Sequence, residues 1–498
     1  MTSTFSVVIP TLGRPSLATL LRSLAAQGEP AHEVVVVDDR PRPTTALDLA
    51  AYPAARVLPG YGLGPAHARN VGWRLTQSDW VVFIDDDVEL SATWLLDLIA
   101  DLTAAREDLS GVRIGGVQAR VEVPLPRHRR PTDWERGTAG LERARWATAE
   151  MAYRRAALAQ VSGFDERFSR AYREDSDLAL RVMKAGWQLR RGQRSVTHPV
   201  RPSVPGASLR QQQGNADDAL MLRLHGWGWR SRAGCPRGRL ALHVLTTGAA
   251  GAALAGLAAR RWNSAALALL AWSGLSGQFA WQRIAAGPRP PVEVREMALT
   301  SLAIPPAAVW HRAVGTWRTR RTPPWPAPVR AVLFDRDGTL IRDVAYNGDA
   351  AQVEPVPTAA ASLARLRAAG LAVGVITNQS ALARGLITRE QLDAVNARVE
   401  ELLGPFDTWQ VCPHADQDGC DCRKPEPGMV YAAAAALGVQ PYEVAVVGDI
   451  GSDIQAALAA GARAVLVPNL KTHPQEVAAC DVTAQTLQEA VDVLLGAR

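Results

Sequence analysis

Short apolar runs alternate with amphipathic stretches in two separate parts of this chain. FSVVIP at 5–10, EVVVVDD at 33–39 and WVVFIDDD at 80–87 are β-rich, and helical patterns such as SLATLLRSLAAQ at 16–27 lie between them. This alternation predicts an α/β domain with a largely parallel sheet over residues 1–230. AVLFD at 331–335, LAVGVITN at 371–378, VAVVGD at 444–449 and AVLVP at 464–468 repeat the pattern, predicting a second doubly wound α/β sheet over 329–498. Residues 231–321 between them read as an apolar helical region, and the Pro-rich stretch 322–328 as a stiff linker.

Two stretches of the middle region, 240–259 and 262–281, carry no Asp, Glu, Lys or Arg. Each is long enough as a helix to cross a hydrocarbon core of about 30 Å. Arg230, Arg232, Arg237 and Arg239 precede the pair, and Arg283 and Arg289 follow it, the flanks expected on the cytosolic side of a hairpin. Arg260 and Arg261 in the turn oppose a spanning arrangement, and a soluble helical spacer is the alternative. The segment 297–317, interrupted by Pro305 and Pro306, suits an interfacial helix.

Composition narrows the class. With 47% apolar and 21% charged residues, the 498-residue chain can bury ordinary cores in two to four domains. A net charge of +6 is too mild to imply nucleic acid as a partner. Cys412, Cys420 and Cys422 crowd together, while Cys235 and Cys480 stand apart; this odd, clustered set points to a metal site in a reducing compartment rather than to disulfides. The opening MTSTFSVVIP lacks a basic segment followed by an apolar one, so the chain reads as cytoplasmic, with peripheral or integral attachment to the cytoplasmic membrane through its apolar middle.

Candidate chemistry sits at strand ends. AVLFD runs into Asp335-Arg336-Asp337-Gly338-Thr339, placing two carboxylates where open α/β sheets bind ligands. One can attack phosphorus while the other protonates the leaving oxygen. VITNQS supplies Thr377, Asn378 and Ser380 as phosphate donors, VVGDIGSD supplies Asp449 and Asp453 as hard ligands for Mg²⁺, and Lys424 offsets phosphoryl charge. Asp and Gly at strand ends are also ordinary turn residues, but four such ends in this order are hard to explain that way. Cys412, His414, Cys420 and Cys422 have the spacing of a closed, structural Zn²⁺ site, directly followed by Arg423 and Lys424.

In the first region Asp38-Asp39 and Asp85-Asp86-Asp87 end apolar strands. A D-x-D pair there can chelate a divalent cation bridging a diphosphate. Further on, Tyr172-Arg173-Glu174-Asp175 opens a helix, and a carboxylate in that position can deprotonate an acceptor hydroxyl.

The DRDGT, TNQS, KPEPGM and GD-x₃-D elements resemble the haloacid dehalogenase (HAD) superfamily of phosphatases over about 329–498. The resemblance implies a Rossmannoid fold and Asp335 as the nucleophile of an aspartyl-phosphate. It makes Asp337 the general acid/base, puts Asp335, Asp337 and Asp449 on Mg²⁺, and Thr377 and Lys424 on phosphate. With the zinc loop, TNQSALARG and CRKPEPGM look like the D-glycero-D-manno-heptose 1,7-bisphosphate 7-phosphatases and, less closely, the histidinol-phosphate phosphatases. A free Arg423 would then reach a substrate oxygen or second phosphate. Residues 3–225 resemble inverting GT-A glycosyltransferases of family 2, with a Rossmann-like nucleotide-diphospho-sugar fold. That resemblance puts Pro10, Asp38 and Arg69 on the nucleotide, Asp85 and Asp87 on Mn²⁺ or Mg²⁺, and makes Asp175 the base. The DDD run leaves open which oxygens bind metal, and His198 is either a further ligand or structural. The partners implied are a sugar phosphate and a nucleotide sugar. The alternative is a histidinol-phosphate or relaxed sugar-phosphate phosphatase with a non-catalytic, sugar-binding N-terminal module.

Overall fold

A computed structural model describes residues 4–28, 33–106 and 112–496. It divides into two compact units, Met1–Trp325 and Pro326–Arg498. The first unit therefore holds both the region read as 1–230 and the apolar helices.

The eight strands of the first unit are β1 (Phe5–Thr11), β2 (Glu33–Asp38), β3 (Arg56–Pro59), β4 (Trp80–Ile84), β5 (Glu89–Leu90), β6 (Ile114–Glu122), β7 (Glu150–Arg154) and β8 (Gln188–Thr197). They form one sheet in the order β3-β2-β1-β4-β7-β6-β8-β5. β3, β2, β1 and β4 are mutually parallel, but β7 enters antiparallel to both β4 and β6. The sheet is thus mixed, and the expected parallel arrangement holds for its first four strands. Apolar runs mark a strand as buried without giving its direction, which is why the reversal escapes a sequence reading. Val7, Ile9, Val36 and Val82 pack on one face against Leu17, Leu20 and Leu24. Val8, Val35, Val37 and Phe83 pack on the other against Trp73 and Phe164. Burial on both faces explains the unbroken apolar runs. The register pairs Thr11 with Asp38, so the acids following β2 leave the sheet beside the end of β1.

Helices Leu240–Ala258 and Trp262–Ala286 form a hairpin, followed by Pro291–Thr319, which carries Pro305 and Pro306 inside it. The stretch read as an interfacial helix belongs to this longer element. Among the described residues one helix, Leu240–Ala258, is long and apolar enough to cross a membrane.

In the second unit β9 (Ala331–Phe334), β10 (Ala372–Asn378), β11 (Thr408–Cys412), β12 (Val444–Gly448) and β13 (Arg463–Leu466) form a parallel sheet in the order β11-β10-β9-β12-β13. Leu363, Val395, Val399 and Val491 cover one face and Met429, Val430, Ala433 and Ala457 the other, giving the doubly wound arrangement read from the sequence. The order of strands reverses beside β9, the place where such sheets bind ligands.

Candidate active sites

In the second unit the chain leaves the sheet at Asp335, whose N–H donates to the Val447 carbonyl at 3.0 Å. Lys424, 5% exposed, reaches this carboxylate from the other side. Its Nζ donates to Asp335 Oδ1 at 2.5 Å and to the Ile376 carbonyl at 3.1 Å, and pairs with Asp453 Oδ1 at 2.6 Å. Burial raises Asp335 well above the usual carboxylate range, against the pull of Lys424 and with the push of three neighbouring acids. Burial alone would lower Lys424, but Asp335 and Asp453 outweigh it and hold the ammonium above its ordinary value. Asp449 is pushed up to about 6, chiefly by burial and by the Asp453 charge. Thr339 Oγ1 and Asn469 Nδ2 donate to its two oxygens at 3.0 and 2.6 Å.

Asp335, Asp449 and Asp453 offer oxygens that all lie within 4.8 Å of one another. A group of hard carboxylate oxygens at this spacing fits Mg²⁺. Asp337, grouped with Asp335 and Asp449 by the resemblance, stands outside this cluster. Its carboxylate accepts from Gln379 Nε2 at 2.8 Å and pairs with Arg336 at 2.9 Å. Gln379 also donates to Thr377 Oγ1 at 2.8 Å, so Thr377 and Asp337 share one amide. Asn378 turns its side chain to the Lys424 backbone, and Ser380 follows on the same loop.

The four zinc-loop residues converge. Cys412 Sγ lies 3.3 Å from Cys422 Sγ, Cys420 lies 3.5 Å from Cys422, and His414 Nδ1 lies 3.2 Å from Cys422. All three cysteines are free thiols. Tetrahedral arms of about 2.3 Å have edges of about 3.8 Å, so the cluster is close to the size Zn²⁺ requires. The loop is wired to the phosphoryl site: Cys412 ends β11, and its carbonyl accepts from Gln379 N at 2.7 Å. Arg423 differs from the reading that left it free for substrate. Its guanidinium pairs with Asp416 on the zinc loop and donates to the His414 carbonyl at 3.4 Å. A carboxylate four residues beyond Cys412 is the nearer partner, a contact no spacing rule reveals.

In the first unit the carboxyl ends of β1, β2 and β4 border a cleft of about 410 Å³ lined by Pro10, Arg14, Arg69, Asp85, Asp86 and Arg201, among others. Arg69, 1% exposed, forks between two acids, donating to Asp85 Oδ1 at 2.7 Å and Glu174 Oε1 at 3.0 Å. Glu174 is pushed up to about 8 by burial and by the adjacent Asp175 charge. Asp175 is itself raised by burial, and accepts from Ser176 N at 2.6 Å.

The acid run is divided by its partners. Asp86 accepts from Thr11 Oγ1 at 2.7 Å and from Arg14 at 2.9 Å. Asp87 faces an adjoining cavity of about 460 Å³, paired with Arg201 and 3.5 Å from His198 Nε2. Asp38 is held by Arg40 at 2.6 and 2.8 Å, and Asp39 lines the cleft. The sequence reading gave Asp39, Asp86 and Glu174 no individual role and did not name Arg201. The consecutive acids signalled the first two and the Glu-Asp pair the third; Arg201 gave no signal.

Residues 6–177 match the glycosyl transferase family 2 model and residues 342–461 the haloacid dehalogenase-like hydrolase model. The chain therefore joins a HAD-like phosphatase to a family 2 glycosyltransferase, and is a bifunctional enzyme. The D-glycero-beta-D-manno-heptose-1,7-bisphosphate 7-phosphatase of Pseudomonas putida is 40% identical over 144 residues, covering 28% of this chain and 82% of that protein. Its namesake from Escherichia coli is 34% identical over 143 residues, covering 26% and 75%. The crystal structure of the D,D-heptose 1,7-bisphosphate phosphatase from B. bronchiseptica, complexed with magnesium and phosphate, is 31% identical, covers 34% of this chain and all of that one, and has a TM-score of 0.32. Through its second unit, the chain belongs to the D-glycero-beta-D-manno-heptose-1,7-bisphosphate 7-phosphatase family.

Proposed function

We propose that the second unit removes the 7-phosphate from D-glycero-D-manno-heptose 1,7-bisphosphate through an aspartyl-phosphate on Asp335. The observation that carries this reading is the Asp335 carboxylate at the sheet's switch point, held 2.5 Å from the Lys424 ammonium, in a chain of which 144 residues are 40% identical to a phosphatase of that name. An Asp335 oxygen attacks phosphorus, the ester P–O bond breaks, and Asp337 gives its proton to the leaving sugar oxygen. Asp337 then takes a proton from water, which attacks the aspartyl-phosphate and frees Asp335 and inorganic phosphate. Lys424 offsets charge on the phosphoryl oxygens. Thr377, through Gln379, orients Asp337, Asn378 positions Lys424, and Ser380 is available to the phosphate. Asp335, Asp449 and Asp453 hold Mg²⁺, which supplies charge neutralisation at the phosphate. Cys412, His414, Cys420 and Cys422 hold a structural Zn²⁺ that fixes the loop leading to Lys424.

The first unit transfers a sugar from a nucleotide sugar. Pro10, Asp38 and Arg69 receive the nucleotide, Asp85 and Asp87 a divalent cation, and Asp175 accepts the acceptor's proton. The apolar helices between the catalytic regions 1–230 and 329–498 attach the enzyme to the cytoplasmic membrane. Phosphate release from heptose 1,7-bisphosphate, histidinol phosphate and hexose phosphates tests the first activity. Nucleoside diphosphate release from a panel of nucleotide sugars tests the second.

A further inference from the structure

The hairpin 240–286 has the polarity of a soluble protein turned inside out. Its buried seam is made of His243, Thr246, Ala253, Gly256, Ala265, Ser276 and Arg283, while its large apolar side chains face outward. Leu254 is 68% exposed and Leu267 and Leu270 are each 71% exposed. In water, apolar residues at this density turn inward; against hydrocarbon, packing favours small residues at the helix contact and leucine outside. The close approach of Gly256 to Ala265, where an added Cβ would meet atoms at 3.0 Å, is such a contact.

The ends of the hairpin differ from its middle. Trp262 and Trp281, 66% and 65% exposed, stand 19 residues apart on one helix, about 28 Å at about 1.5 Å per residue. That separation is close to the roughly 30 Å hydrocarbon thickness whose borders Trp prefers. Between Asp218 and Glu293 the chain holds nine arginines and no Asp, Glu or Lys. Seven of the nine lie at the domain end, and Arg260 and Arg261 alone at the tip. On the second helix Gln278, Gln282 and Arg283 lie toward the domain end, while Asn263 and Ser264 stand at the tip and Ser273 and Ser276 between them. Gln282 accepts from Arg239 at 2.8 Å, and Arg283 donates to Thr300, Ser301, Asp133 and Ser208 at 2.7–3.0 Å.

We propose that residues 240–286 span the lipid bilayer as a two-helix hairpin, with the catalytic region 1–230 on the arginine-rich face and Arg260–Trp262 emerging on the opposite one. This rests on the membrane attachment stated above and adds its topology. The arginine excess at the domain end is what a cytosolic face carries, and anionic headgroups complement it. The two tip arginines reach the opposite headgroups beside Trp262 instead of stopping in hydrocarbon.

The test uses the full chain carrying Asn263→Cys, produced in bacterial cells. A membrane-impermeant maleimide is applied to intact spheroplasts and labelling of each cysteine is read by peptide mass. The proposal predicts that the chain sediments with membranes, resists alkaline carbonate, and is labelled at position 263 but not at Cys480 until the cells are lysed. Membrane-bound protein protected at position 263 until lysis would overturn the spanning topology and leave attachment standing. A chain found wholly in the soluble fraction would overturn both.

Discussion

Asn378 and Lys424 are joined by a reciprocal pair of hydrogen bonds. The Asn378 amide donates to the Lys424 carbonyl at 3.1 Å and accepts from the Lys424 N–H at 3.1 Å. Forty-six residues apart in sequence, they lock the end of β10 to the segment leaving the zinc loop. The ammonium that meets Asp335 is therefore aimed from its own backbone. Asn378→Ala leaves two buried backbone groups without this partner and lets Lys424 drift. Kinetics should show kcat lowered by about tenfold or more, equivalent to about 1.5 kcal/mol, with KM changed less. Wild-type kcat in this variant would show that the amide aims nothing.

The zinc loop and the phosphoryl site form one connected structure, through Cys412 to Gln379 and through Cys422 to Lys424. Cys420→Ser should lose bound zinc, lower Tm and lower kcat together, as metal analysis, thermal melting and phosphate release would record. Retention of full activity without zinc would separate the loop from catalysis.

Arg69 bridges Asp85 and Glu174, one acid lining the cleft of the first unit and the other next to Asp175. A lysine keeps the charge but cannot fork between the two carboxylates. Arg69→Lys should reduce sugar transfer by roughly tenfold to a hundredfold, the scale of about 1.5–3 kcal/mol for a charge-assisted bond, while leaving phosphate release unchanged. Equal loss of both activities would indicate a general folding defect instead.

Asp175 can take a proton only as a carboxylate, and burial raises its pKa, with Glu174 beside it at about 8. A base with a raised pKa is protonated, and so inactive, at a higher pH than an ordinary aspartate. Sugar transfer should therefore fall as pH drops through an acid limb displaced above the usual value near 3.9, and recover as pH rises through it. A pH–rate profile of kcat/KM checks this. A flat profile down to pH of about 4 would remove Asp175 from the role.

The strand-end carboxylates were legible because each follows an apolar run that must be buried, which fixes where the chain turns outward. The convergence of Cys412, His414, Cys420 and Cys422 was legible from spacing alone, since four soft or borderline ligands within eleven residues leave few other arrangements. What escaped depends on contacts between distant segments. Arg201 reaching Asp87, Asn469 reaching Asp449, and Arg423 turning to Asp416 are choices among equally reachable partners. Asp453, named with Asp449 from the VVGDIGSD pattern, does join Asp335 and Asp449, because the helix Gly451–Ala459 turns its first-turn acid toward the site. The same local pattern would permit a solvent-facing acid. The antiparallel β7 was invisible for a related reason: strand direction is set by connections, not by residue type.

The most direct measurement is the kcat/KM of the full chain for heptose 1,7-bisphosphate, against histidinol phosphate and simple hexose phosphates, in wild type and Asp335→Asn. An amide cannot attack phosphorus, so the variant should lose about three orders of magnitude or more while remaining folded. Wild type should favour the bisphosphate by about tenfold or more and leave heptose 1-phosphate as product. Preference for histidinol phosphate, or near-wild-type turnover by Asp335→Asn, would contradict the account.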